Sequence, residues 1–452
     1  MFVVSRVATY ALGVRFNAHP IESFRQFIDP ELLRSKLLES LFYLHGQPPL
    51  FNAVVGVVLN LFPAHFGAEM QAVYLATGFV LSIGLFLLLA RLGIGPWPSA
   101  VVAAALSASP AFLLYENWLF YEYPVAALLV LSALALHQFL ECGAMRAGVA
   151  FFACLAAIIY IRTAFQITWL LLVLVLLIVA RRELTRRVLA ASIVPTVFVV
   201  LLLVKNLIVF GVPATSSWYG MYLAELVDRK VPASERQRLV ERGQLSRVSL
   251  APPFVDPVTY RKLVRPPEPT GVALLDELKT STGYWNMNNS VYVRASREYL
   301  SDSITLIRLR PGAYARAILA DEPFYVHPAS EGAYFEHSKI HRYETLFDQI
   351  ILLQLPTGGP AWTILVALAV ALVYGLRLTY RLVRRRLPAT ASAVTLAYIW
   401  LTVAYVSVAV TFTQVGEKNR IRFLLDPFLV LLVAAAVRDA VRRIRRQPTG
   451  PG

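Results

Sequence analysis

Charge is scarce in this sequence. Only 16% of its 452 residues are Asp, Glu, Lys or Arg, against about a quarter in soluble domains, which excludes an ordinary soluble globular protein. Cysteine is scarcer still. Cys142 and Cys154 cannot build a disulfide framework or a cysteine metal cluster, and both lie in or beside apolar runs where a thiol is a small packing group. No internal repeat is visible, and no cleavable secretory signal. Residues 1–16 form a short apolar stretch interrupted by Arg6 and Arg15, which reads as a span with its beginning missing rather than a signal peptide.

What is abundant is apolar surface. Hydrophobic residues make up 57% of the chain, and runs such as ITWLLLVLVLLIVA at 167–180 continue almost unbroken. A membrane span needs about 20 such residues. Apolar segments fall at about 1–16, 48–66, 70–90, 98–114, 121–140, 147–163, 165–181, 188–210, 359–378, 390–413 and 421–441. The fold class is therefore an all-α polytopic membrane protein of about 10–11 transmembrane helices. The net charge of +15 does not indicate nucleic acid, because neither aromatic interleaving nor a reading motif accompanies it. Its arginines cluster in short connectors: Arg181–Arg187, Arg377–Arg386 and the tail from Arg438 to Arg446. That is the pattern of cytoplasmic loops under the positive-inside rule.

Two polar regions separate the runs. The first, 17–47, contains PELLRSKLLESLFYL, whose leucines recur at three- and four-residue spacing opposite Glu31, Arg34, Lys36 and Glu39. This predicts an amphipathic helix on the bilayer surface. The second, 211–355, holds too many aromatics for disorder and predicts a small domain outside the membrane. The chain thus divides into an N-terminal membrane module (1–210), an extracytoplasmic domain (211–355), and C-terminal helices with a basic cytoplasmic tail (356–452). Counting the apolar segments places the two polar regions on opposite faces. A site using both requires one segment not to cross, with the pair flanking Arg162 or the short 98–114 segment as suspects.

Charged residues at the ends of apolar runs are the informative ones, since burying them is costly unless they work or are paired. They are Asp29, His45, Glu116, Glu122, Arg162, Lys205, Glu417, Lys418, Arg420 and Arg422. The stretch FYLHGQPPLFN at 42–52 adds two consecutive prolines, which a helix interior rejects but a helix start accepts. A charged loop after the first span, a surface helix, and then HGQPPL opening the next apolar run resemble, in that order, the GT-C superfamily of membrane glycosyltransferases. The likeness is to its protein mannosyltransferase and aminoarabinose transferase branch, where an H-P-P-L-like stretch opens the second span; here two residues stand between His45 and Pro48. KNLIVFG, TSSWYGMYLA and EKNRIRFLLDP add to the likeness.

The resemblance implies a GT-C-like bundle and transfer of a sugar from a polyprenyl-phosphate donor to an acceptor on the outer face. The acceptor is a protein, a lipid or a polysaccharide, and a bacterial inner membrane is the expected setting. Asp29 is the expected base, with Glu22 and Glu31 as alternatives. Lys205, Arg420, Arg422 and His45 are expected to hold the donor phosphate. Glu116 could orient a cation or bind a divalent metal. Trp218, Trp285, Asn286 and Asn288 could line an acceptor groove, because aromatics and amides suit sugars. A transporter or flippase, or a non-catalytic scaffold, is the alternative reading of the same residues.

Overall fold

A computed structural model describes residues 1–384 and 386–446 of the chain, with the side chains of Arg229 and Arg446 outside the described set. Arg385 and the tail beyond Arg446 therefore lie outside the described residues. Those residues form helices joined by loops, with isolated β-bridges and no strands.

After α1 (Phe2–Ala11), the expected surface helix is split in two, α2 (Pro30–Ser35) and α3 (Leu37–Tyr43), at Lys36. Asp29 caps the first, accepting from the Glu31 amide, and Pro30 occupies its first turn, where a missing N–H costs nothing. Pro48 and Pro49 then precede α4 (Leu50–Leu61). The long apolar helices follow: α5 (Phe66–Arg91), α6 (Pro96–Ala108) with α7 (Pro110–Glu116), α8 (Glu122–Cys142), α9 (Met145–Ile161), α10 (Ile167–Ala180) and α11 (Thr185–Phe210). The region expected to form the outer domain carries α12 (Tyr219–Val227), α13 (Val291–Leu309) and α14 (His341–Ile350). The chain closes with α15 (Trp362–Val383), α16 (Ala391–Thr413), the short α17 (Lys418–Phe423) and α18 (Asp426–Arg446). Among the described residues five helices are long and apolar enough to cross a membrane, and α6 with α7, bent by 58° at Ser109, makes a sixth. Shorter apolar helices, α4, α9 and α10 among them, account for further runs that the sequence counts as spans.

The bundle has two distinct ends. At one, Arg438 donates to the Leu92 carbonyl, Arg442 reaches Gly93 at 3.3 Å, Arg187 reaches Gly143 at 3.3 Å and Arg181 reaches Ala389 at 3.2 Å. The described basic clusters thus gather together, as the positive-inside rule requires of a cytoplasmic face. At the other end Asn17 pairs with Asn117 and Leu119, and Gln166 donates to Thr215. This end carries both polar regions: His45 bonds Ser217, and Ser281 bonds Asp29. The two regions therefore share a face.

The count from sequence is corrected at α4, which was not among the suspects. Leu50 follows the stretch pinned to the outer domain. Tyr74, two turns into α5, donates to the Phe120 carbonyl, while the other end of α5 meets the basic tail. Both ends of α4 thus lie on the domain side. Twelve residues span about 18 Å, too little to cross. Instead α4 seats the surface helices, with Leu33 and Leu37 against Gly56.

Inside the bundle, Glu116 is bound by Arg6 through two 2.8 Å contacts, and Tyr123 donates to it at 2.6 Å. Its charge is thus spent on tying α1 to α7 and α8, not on a substrate cation or metal. Gly78 makes room for this: a Cβ there would lie 2.0 Å from Glu116 Oε2 and 2.5 Å from the Tyr123 hydroxyl. Gly78→Ala is expected to lose about 2–4 kcal/mol, since either a buried ion pair or its helix must move. Thermal unfolding in detergent checks this against Gly67→Ala on the same helix, where nothing lies within 4 Å and the change is expected to be neutral or slightly stabilising.

Candidate functional site

The stretch at 42–52 forms a seam with the outer domain. His45 is buried, with Nε2 2.8 Å from the Asn288 carbonyl and Nδ1 2.7 Å from Ser217 Oγ. A carbonyl only accepts, so Nε2 carries the proton and Nδ1 accepts from the serine. Gly46 lies flat on the Trp218 indole, where a Cβ would come within 2.4 Å of the ring, and its carbonyl accepts from Ser216 at 2.7 Å. His45 thus joins the first outer loop to the outer domain in place of the expected phosphate contact. Trp218 and Asn288 are buried in the same seam, so neither lines a groove.

Burial holds the His45 imidazole down at about 4. The folded state therefore favours the neutral ring, and its contribution is full above the ordinary value near 6.5 and lost as pH falls from there toward 4. Asp348, pushed up by burial to about 7, acts in the opposite sense over the same range. The difference between wild type and His45→Asn isolates the histidine. Wild type is expected to lose about 2 kcal/mol more than the variant between pH 7.5 and pH 5, measured by thermal unfolding at both pH values.

Other expected phosphate ligands are also committed elsewhere. Lys205 donates to the Phe42 and Leu44 carbonyls at 2.9 and 3.1 Å, closing the end of α3. Arg422 is buried and donates to the Tyr325 and His327 carbonyls at 2.6 and 2.8 Å and to Asp426 at 3.1 Å. Its guanidinium fixes the loop between outer domain and bundle.

Arg420 is placed differently. It lines a polar cavity of about 430 Å³ at the domain end of the bundle, together with Arg25, Arg162, Tyr222, Glu225, Tyr334 and Glu417. Beneath it lies Glu122, fully buried in the first turn of α8, where the helix dipole favours negative charge. Arg420 Nε and Arg162 Nη2 stand 3.6 and 3.8 Å from Glu122 Oε1. These distances are too long for hydrogen bonds, and both Glu122 oxygens are without one. Two guanidiniums therefore share a single buried carboxylate. Arg162 is steered by the Tyr121 hydroxyl at 2.6 Å, and Arg420 by Glu417 at 3.0 Å. Tyr334 donates to Glu417, and burial keeps its phenol protonated by pushing its pKa up. Burial works against charge on Arg420, but Glu122 and Glu417 outweigh it and hold the guanidinium charged. Arg25 stacks on Phe254 with its Cζ 3.9 Å from the ring centroid. It is positioned by Asn52, which bonds the Ile28 amide and the Gln26 carbonyl.

A second cavity of about 170 Å³ adjoins the first, since Ser23, Phe24 and Arg25 line both. Glu22, Asp29, Tyr284, Trp285 and Asn286 line it. Asp29 accepts from the Ser281 amide at 2.6 Å, from the Ser281 hydroxyl and from the Glu31 amide at 3.0 Å. It staples the outer domain to the first loop as well as capping α2. Glu22 has a half-exposed side chain with His19 at 3.2 Å. Glu31 is exposed. Asn286 spends its amide on the Leu274 and Glu277 carbonyls. Among the described residues no group of three or more His, Cys, Asp or Glu side chains is arranged to hold a metal ion.

Sequence reasoning singled out Glu122, Arg162 and Glu417 as costly charges without assigning them a role. It missed Arg25, Glu225 and Tyr334, which lie in polar stretches where a charge or a phenol carries no signal.

No protein-family model and no curated protein matches the chain. Among solved structures it is similar to ArnT from Cupriavidus metallidurans bound to undecaprenyl phosphate, with 17% identity, a TM-score of 0.37, and coverage of 99% of this chain and 80% of that one. ArnT in the apo state gives 18% identity and a TM-score of 0.36 over 92% and 76% of the two chains. The archaeal oligosaccharyltransferase AglB from Archaeoglobus fulgidus, in complex with an inhibitory peptide and a dolichol-phosphate, gives 10% identity and a TM-score of 0.33. All of this chain is covered in that match, and it spans 52% of the archaeal protein.

Proposed function

We propose that this multi-pass membrane protein is a glycosyltransferase that takes a sugar from a polyprenyl-phosphate carrier at the domain end of the bundle, in a bacterial inner membrane. The observation that carries this reading is the guanidinium pair Arg162 and Arg420, largely buried at the mouth of an apolar helix bundle, lining a polar cavity and held to Glu122 only at 3.6–3.8 Å with no hydrogen bond to it. A lipid phosphate is an anion on an apolar tail, and that junction suits both halves. Guanidinium forks bind phosphate oxygens bidentately.

In the reaction the acceptor hydroxyl attacks the anomeric carbon while the bond to the carrier phosphate breaks, with inversion and no covalent enzyme intermediate. Negative charge grows on the departing phosphate. Arg162 and Arg420, already held in place, stabilise it without reorganising. A carboxylate takes the acceptor proton, a contribution of about 10²- to 10⁴-fold. Glu22 fits that role better than Asp29: both line the adjoining cavity, but Asp29 already accepts three hydrogen bonds and Glu22 is accessible.

The test is release of polyprenyl phosphate by protein in nanodiscs, with a panel of labelled polyprenyl-phosphate sugars. Glu22→Gln is expected to lower kcat by about 10²-fold or more with little change in donor affinity. Asp29→Asn is expected to lower thermal stability and raise the acceptor KM, because it loosens a staple. The opposite pattern would return the base to Asp29. No release from folded wild-type protein with any donor and acceptor would overturn the enzyme reading in favour of transport.

A further inference from the structure

We infer that the 170 Å³ cavity beside the cation site is a carbohydrate subsite, so that the acceptor presented to the donor is a neutral sugar unit rather than a peptide or a lipid. This rests on the glycosyltransferase reading for its role in the reaction, though not for its chemistry.

The cavity is built by a tight hairpin. Thr280 N–H donates to the Tyr284 carbonyl at 2.8 Å, Gly283 N–H donates to the Thr280 carbonyl at 2.9 Å, and Lys279 pairs with Trp285. Gly283 has φ +86°, a conformation that only glycine adopts without strain. Two neighbours at the tip fasten this hairpin to the first outer loop: Ser281 to Asp29, and Thr282 to the Glu22 carbonyl at 2.9 Å. The turn therefore presents Tyr284 and Trp285 at a fixed position. They are large aromatics left 48% and 42% exposed, though nearby aromatics such as Trp218, Tyr260 and Tyr292 are buried. Lys279 lies 4.9 Å from the Trp285 ring centroid and steadies the indole.

The polar groups facing these rings decide the ligand class. Glu22 and Asp29 accept from hydroxyls and disfavour an anionic acceptor, since the cations beside them, Arg25 and Lys279, are stacked on the Phe254 and Trp285 rings. A carboxylate has about four acceptor positions, so Asp29, with three donors, keeps one for a ligand. An apolar chain would cover the remaining acceptor positions of these carboxylates without satisfying them. Aromatic rings and hydroxyl acceptors lining one space of about 170 Å³ match the two sides of a sugar: C–H groups on its face and O–H groups at its edge. Arg25 lines both cavities, which places that ring next to the donor phosphate.

The experiment is saturation-transfer NMR and titration of the full chain in nanodiscs. The probes are methyl α-mannopyranoside, chitobiose, the methyl glycoside of glucuronic acid, and a blocked Ser/Thr-containing hexapeptide. The neutral glycosides are expected to bind, with the glucuronide at least about tenfold weaker. Trp285→Ala and Tyr284→Ala are each expected to weaken glycoside binding roughly 3- to 10-fold, the scale of an aromatic contact. Trp285→Phe should retain most of it. Trp97→Ala, at an exposed tryptophan on α6, should leave it unchanged.

Peptide binding without glycoside binding would overturn the inference, as would glycoside binding indifferent to both aromatic substitutions. Release of polyprenyl phosphate by wild type, assayed in parallel, separates the two readings. Release without glycoside binding sinks the acceptor class alone, whereas glycoside binding without release from any donor keeps the subsite and sinks the transferase.

Discussion

Arg420→Gln is expected to slow polyprenyl phosphate release by about 10²- to 10³-fold, the range typical for removal of one preorganised donor to a developing negative charge. It is also expected to destabilise the protein, because Glu122 would keep only Arg162, at 3.8 Å, as a cationic partner. Stranding a buried carboxylate costs about 3–5 kcal/mol. The two effects can be separated. In the double variant Arg420→Gln with Glu122→Gln the buried carboxylate disappears with its lost partner, but Arg162 then lacks its carboxylate, so thermal stability should recover only in part. Transfer should not recover, since the phosphate would still lack one fork. Arg420→Lys offers a finer comparison: it keeps the charge but not the fork, and should fall between wild type and glutamine. Recovery of activity in the double variant would mean that Arg420 serves only to neutralise Glu122, and the phosphate seat would have to move elsewhere.

How much of this was legible in the sequence depends on the kind of physics involved. Long apolar runs and basic connectors report on the membrane directly, and the described arginine clusters do collect at one end of the bundle. Residue-level cost was legible too. Glu122 and Arg162 stand out in the sequence because a charge beside an apolar run must be accounted for, and they lie at the centre of the candidate site. What the sequence could not show was partnership. His45, Lys205, Arg422 and Glu116 carry the same signal as Arg420, yet each is matched to a carbonyl, a hydroxyl or an opposite charge from a distant part of the chain. Nor could apolarity alone reveal that α4 turns back. Its twelve residues are as hydrophobic as a span, and only the contacts at its two ends show that both lie on one side. Tyr334 and Arg25 sit among polar residues, where nothing local separates a cavity wall from a solvated loop.

The outer domain supplies the remaining strong test, because one close approach sets the position of two cavity residues. Gly220, in the first turn of α12, lies against α13 so closely that a Cβ would stand 1.8 Å from the Ser296 carbonyl oxygen and 2.8 Å from the Leu300 nitrogen. Both are backbone atoms and cannot swing aside as a side chain could. Gly220→Ala must therefore push the helices apart, at an expected cost of at least about 3 kcal/mol. The shift acts on the site as well. Tyr222 and Glu225 project from α12 into the cation cavity, and the domain core beneath them packs Met221 and Ala224 with Val291, Tyr292 and Ala295. The expected result is a lower unfolding temperature together with weaker donor binding. Gly312→Ala, in another helix of the same domain and with only the tip of Arg316 nearby, should be neutral or slightly stabilising. A Gly220→Ala protein that unfolds early but binds donor normally would show that α12 supports the domain without shaping the cavity, and the wall formed by Tyr334, Glu417 and Arg420 would then carry donor recognition alone.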